Sequence, residues 1–197
     1  MSSEKIILKN IEASNVIGRD QNISADTHFH NYTPTDFSEL DSLIKAFQKD
    51  CENQPETKQE ALMEDLLHFS TPRQNEKIIG LEAKLKAAGR DDAYVSYGQE
   101  MKELFAKKLL KHTFSESAQK IYLFLLSEVA THFQLHVIPH IKAGESPAKI
   151  DELIANQVIE PVKNRLGPHK FVLDLYAREI AGMLFYLTGN CHLTWAK

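Results

Sequence analysis

The chain has 197 residues, 43% of them hydrophobic and 25% charged, with a net charge of −4. This is the composition of one globular domain, or of one domain with an arm, and it excludes a global positive field that would draw nucleic acid. No apolar run reaches the ~18 residues of a membrane helix, and Cys51 and Cys191 are too few for a disulfide framework, so both are expected as reduced thiols.

The first 33 residues read as extended. Ile6, Leu8, Ile11 and Ala13 alternate imperfectly with polar neighbours. Val16-Ile17 is closed by Gly18, and Asp20-Gln-Asn22 makes a second polar corner before Ile23. Gly and Asn tolerate positive φ, so such corners suit tight turns between short strands. Thr27-His-Phe-His-Asn-Tyr32 is a further strand candidate, with His28 and His30 on one face and Phe29 on the other. Strands this short are marginal alone in water. The arm, residues 1–34, is therefore expected to pair with the helical body, another copy or a partner through its unpaired backbone groups. Val16, Ile17, Ile23 and Phe29 are the candidate assembly residues. Covering them between subunits would make the chain a homo-oligomer.

From Thr35 the apolar period becomes helical, and residues 35–197 read as one helical domain. Phe37, Leu40, Leu43, Ile44 and Phe47 line a first helix. Residues 56–69 predict a second, with Leu62, Leu66 and Phe69 inward. Thr71-Pro72 starts a third, lined by Ile78, Leu81 and Leu85 and stopped at Gly89. Residues 91–112 form a fourth and residues 115–138 a fifth, the most apolar, ended by Pro139. Ser146-Pro147 pairs a capping residue with Pro at the first helical position, and Pro161 is expected to kink or divide the helix that follows. A last helix spans residues 169–187, closed by Gly189. In the tail, Cys191, Leu193 and Trp195 alternate and can pack on one face. The fold expected is mainly α, a multi-helix bundle preceded by a short extended β arm.

Complete chemical motifs are missing. There is no phosphate-binding Gly-rich loop, no nucleophile elbow and no paired Cys-x-x-Cys or His-Glu-x-x-His metal motif. His28 and His30, with Asp26, supply only half a zinc site. His132, His136 and His140 are spaced by four, and partly buried structural histidines compete there with a ligand or proton-transfer role. Cys191-His192 is poorly placed for an activated thiol, because strand neighbours point to opposite faces. Lys102, Lys107, Lys108 and Lys111 lie within three turns of one helix, diluted by Glu100 and Glu103. Residues 35–70 carry nine acids and three bases, a net −6, while residues 71–112 carry six acids and nine bases, a net +3. Solvated helix faces of opposite sign and a charged docking surface both fit that contrast.

Val158-Ile-Glu-Pro161 and Ile180-Ala-Gly-Met-Leu-Phe-Tyr-Leu-Thr-Gly-Asn-Cys-His-Leu-Thr-Trp195, with Asn15-Val-Ile-Gly-Arg-Asp20, carry a family resemblance. They resemble the C-terminal modules of bacterial ABC-three-component conflict systems, whose relatives include Lamassu-type antiphage defence. The resemblance covers residues 11–33 and 115–197, and its most specific element is the Leu-Thr-Gly-Asn-Cys-His-Leu-Thr-Trp ending. It implies a protein working beside an SMC-like ATPase and a toxic effector, often a nuclease, which such modules assemble and restrain. No effector domain is expected before Ile6, which implies a free-standing adaptor or one separated from its effector.

The resulting expectation is a non-catalytic oligomerising adaptor or regulatory subunit, without cofactor. It is expected in the cytoplasm, because Ile6-Ile-Leu8 is interrupted by Lys9 and Asn10 and does not resemble a signal peptide. The alternatives are a small metal-dependent enzyme using His28 and His30, and a nucleic-acid sensor using the lysines of the fourth helix.

Overall fold

The described residues, 37–53, 64–73 and 78–195, of a computed structural model hold nine α-helices, one π-helical turn and one 3-10 turn. The chain divides into two units, Met1–Pro34 and Thr35–Lys197. All described residues belong to the second, and no strand occurs among them. The mainly helical bundle expected from the sequence is the observed architecture. Val16, Ile17, Ile23, His28, Phe29 and His30, with the β arm that carries them, lie outside the described residues.

The helices are α1 (Phe37–Asn53), α2 (Glu64–Ser70), α3 (Leu81–Ala87), α4 (Asp92–Lys111), α5 (Glu116–His136), α6 (Ile138–Ala143), α7 (Pro147–Leu153), α8 (Glu160–Leu166) and α9 (Ala177–Gly189). The π turn, Ile154–Ile159, joins α7 to α8, and the 3-10 turn, Gly167–Phe171, follows α8. Helix α5 is the axis of the bundle. Ile121, Tyr122, Leu125, Leu126, Val129 and Phe133 are fully buried along it, where it meets α1, α2, α6, α8, α9 and the π turn. By length and composition alone Glu116–Ala143 could cross a membrane, contrary to the sequence expectation. Its apolar residues are instead committed to the core, 61% of the most apolar window being buried.

Helix α4 packs along α9 at close quarters, and two glycines permit it. A Cβ on Gly182 would lie 2.7 Å from the Met101 carbonyl oxygen and 2.9 Å from Phe105 Cβ. A Cβ on Gly98 would lie 3.0 Å from the Phe185 ring. The backbones approach because these positions carry no side chain.

Several boundaries follow the local chemistry read from the sequence. Asp91 caps α4 by accepting from the Tyr94 amide at 2.8 Å, and Ser115 caps α5 by accepting from the Ala118 amide at 3.3 Å. Ser146 caps α7 by accepting from Lys149 N at 3.3 Å, with Pro147 behind it. Gly89, at φ +75°, ends the turn after α3 as expected. Pro161 divides its helix: the π turn directly precedes α8, and Pro161, which has no N–H to donate, sits in the first turn of α8.

Other boundaries differ. Helix α3 starts at Leu81, after Gly80 at φ +88°, rather than at Thr71-Pro72; the described residues between are not helical. Pro139 does not end the fifth helix. The break comes at Val137, and Pro139 sits in the first turn of α6, where its missing N–H is harmless. The last helix begins at Ala177, because residues 167–176 are spent on the 3-10 turn and a left-handed Asp174 at φ 51°.

Candidate functional site

The C-terminal tail is built into the core. Cys191, Leu193 and Trp195 are all buried while Thr194 between the last two is exposed, the alternation expected from the sequence. Trp195 donates its indole N–H to Thr188 Oγ1 at 2.8 Å. Its ring stacks near Phe185 at 6.4 Å and lies 5.4 Å from Phe133. Lys84, 2% exposed, donates from Nζ to the Leu193 carbonyl at 2.8 Å. Asn190 donates from Nδ2 to the Phe69 carbonyl at 2.9 Å and accepts at its own carbonyl from the Arg73 amide at 3.1 Å. Cys191 holds φ 63°, a left-handed conformation unusual outside glycine, and its thiol is buried. The tail thus clasps α2, α3, α5 and α9 together.

Three polar clusters surround this clasp. Arg90 pairs with Asp151 at 2.7 Å, and Tyr94 donates to the other Asp151 oxygen at 3.0 Å. The Arg90 guanidinium lies 4.5 Å from the Tyr94 ring and 5.6 Å from the Trp195 ring, so α7 is tied to α4 and to the tail. Burial and the Asp151 carboxylate push the Tyr94 hydroxyl above its usual range. Second, Arg165 donates from Nε and Nη2 to Glu128 Oε2 at 3.2 and 3.1 Å, joining α8 to α5. Third, Lys108 donates from Nζ to the Leu173 carbonyl at 3.1 Å and to the Asp174 carbonyl, with Glu179 at 3.9 Å. Burial holds the Lys108 ammonium below the ordinary lysine value, against the pull of Glu179 and Asp174.

The sequence candidates separate accordingly. Lys108 turns inward and Lys107 pairs with Glu103 at 3.6 Å, so the lysines of α4 do not line up as a single basic track. His132 and His136 share a face of α5, rings 5.7 Å apart. His132 is half-buried with Nε2 3.9 Å from Glu128, and desolvation sets it below the ordinary histidine value. His192 is shielded on both ring nitrogens, and burial, then Arg73 and His68, pull it down to about 4. Among the described residues no group of three or more His, Cys, Asp or Glu side chains is placed to hold a metal ion. The groove between α3 and α4, lined by Gly80, Glu82, Lys86, Gln99 and Lys102, is open to solvent. Sequence reasoning missed the buried side chains Lys84, Arg90, Glu128 and Arg165 and the half-exposed Asp151, whose contacts are set by the tertiary fold.

Residues 80–195 match C-terminal domain 9 of the ABC-three component (ABC-3C) systems. The chain belongs to this family. No curated protein and no solved structure matches it. The ABC-3C match begins at the cap of α3 and closes on Trp195, so the family domain is α3 to α9 with the clasping tail. The resemblance carried by residues 180–195 is borne out. The matched span differs from the one expected: it takes in residues 80–114 and leaves out residues 11–33. Helices α1 and α2 lie outside the ABC-3C span yet pack on α5, as extensions of that domain.

Proposed function

We propose that the chain is a non-catalytic adaptor or regulatory subunit of an antiphage ABC-3C complex, assembling with copies of itself and with an SMC-like ATPase or effector. The carrying observation is the ABC-3C match over residues 80–195, more than half the chain. The geometry supports it, because the run that carries the resemblance, Leu187 to Trp195, is used for packing and hydrogen bonding rather than arranged around an open site. The buried polar residues hold helices to one another, as a rigid interaction module requires. The arm is the proposed self-assembly element, through Val16, Ile17, Ile23 and Phe29, whose burial contributes about 1.5–3 kcal/mol each before ordering costs.

Light scattering on the purified full-length chain is expected to give a multiple of the 22.4 kDa protomer, and a chain beginning at Thr33 a smaller multiple. The same preparation is expected to leave DNA, RNA and nucleotides intact with magnesium, manganese or zinc. A monomer at tens of micromolar, with no partner-dependent assembly, contradicts the proposal. Turnover that survives purification and disappears in His28→Ala or His30→Ala replaces it with the metal-enzyme reading.

A further inference from the structure

Helix α2 is held differently from its neighbours. It has seven residues, far below the length at which a helix persists alone in water. It lies before the family span, and Leu66 is its fully buried side chain, on the side that meets α5. Among the described residues it is also attached to the tail. Asn190 bonds the Phe69 carbonyl and the Arg73 amide, and the His192 ring lies 5.1 Å from His68 and 5.4 Å from Phe69. Arg73 Nη2 and His68 Nε2 are hydrogen-bonded at 3.1 Å. Among the described residues, the charged groups that bear on His192 are Arg73 and His68, both basic, while the Thr71 and His68 backbone favours a proton there.

We propose that this contact is a proton-released latch: protonating His192 beside Arg73 and His68 detaches residues 64–73 from the tail while α4, α5 and α9 stay folded.

The closed latch disfavours the charged ring, through burial first and the two basic neighbours second. Once α2 lifts, His192 meets water and regains the ordinary histidine value of about 6.5. The folded value is the lower one, so the latch is at full strength above about pH 6.5 and weakens as pH falls toward 4. At pH 5 full desolvation would raise the open-to-closed ratio about 30-fold; partial exposure of the ring reduces this to about tenfold. Release is local, because among the described side chains of α2 Leu66 alone is fully buried, whereas α4, α5 and α9 share the main core.

The test is amide hydrogen exchange by mass spectrometry on the full chain at pH 7.5 and pH 5, corrected for intrinsic rates. Peptides covering residues 64–73 are expected to lose about tenfold in protection relative to α4, α5 and α9. His192→Phe, which keeps an aromatic ring against Phe69, is expected to abolish that pH response, and Arg73→Gln to reduce it. Equal loss in α2 and in the core means global acid unfolding and overturns the latch. So does an unchanged α2, or a His192→Phe chain that keeps the wild-type response. If His192→Phe does not fold, the Arg73→Gln comparison decides: an undiminished response overturns the proposal.

Discussion

Trp195→Ala is expected to destabilise the protein by about 3–5 kcal/mol, the range for truncating a large buried aromatic. The indole is 2% exposed and fills the space between Phe185, Phe133 and the Arg90 guanidinium. It also satisfies Thr188 Oγ1, and the loss of that hydrogen bond adds to the cavity. Thr188 itself still donates to the Leu184 carbonyl at 2.8 Å, so no hydroxyl proton is orphaned and the cavity dominates. For a chain of this length the loss corresponds to a fall of about 10 °C in Tm. Trp195→Phe keeps most of the packing, and about 1–2 kcal/mol is expected from the lost bond and the smaller ring. Trp195 is the sole tryptophan, so its fluorescence reports the tail in the wild type, while circular dichroism in urea compares the variants. An unchanged midpoint in Trp195→Ala would refute a core role for the tail.

Glu128→Ala is expected to be as severe, about 3–5 kcal/mol, for a different reason. Arg165 and Glu128 are 7% and 9% exposed in their side chains, and one carboxylate oxygen accepts from both Nε and Nη2. Removing the carboxylate takes away the acceptor of two hydrogen bonds from a buried guanidinium that lies 5.8 Å from the Phe124 ring. The guanidinium then lacks the carboxylate that offset its desolvation, and that cost outweighs the attraction forgone. The double change Glu128→Leu with Arg165→Met is therefore expected to recover most of the stability, since an apolar pair of similar volume replaces a buried ion pair at little cost. Urea midpoints of the two single variants and the double complete the cycle. A double variant no more stable than Glu128→Ala would contradict the argument.

Legibility in the sequence tracked the range of the interactions. Ser146-Pro147 and Gly89 announced helix ends because capping and positive φ are local requirements. Cys191, Leu193 and Trp195 are all buried as expected, but the tail turns at a left-handed Cys191 rather than running as a strand, and His192 between them packs against α2. Pro139 misled for the converse reason. A proline that cannot continue one helix is well suited to the first turn of the next, and only Val137 shows where the break falls. The start of the last helix was misplaced because residues 167–176 are spent on a 3-10 turn and a left-handed Asp174 before α9 begins. The site was hardest to read. Lys84 and Leu193 are 109 residues apart, Arg90 and Asp151 61, and Arg165 and Glu128 37. Each of these residues reads as a surface charge or an ordinary apolar position until the helices are brought together. The family resemblance was legible at the tail, where the most specific residues stand in an unbroken run.

The central claim is that this ABC-3C domain serves assembly. Its most direct test is co-expression of the full-length chain, affinity-tagged, with the SMC-like ATPase and effector proposed as its partners, followed by gel filtration with in-line light scattering. The account predicts a stoichiometric complex that survives gel filtration. A folded chain that elutes apart from both partners, with and without ATP, would contradict it.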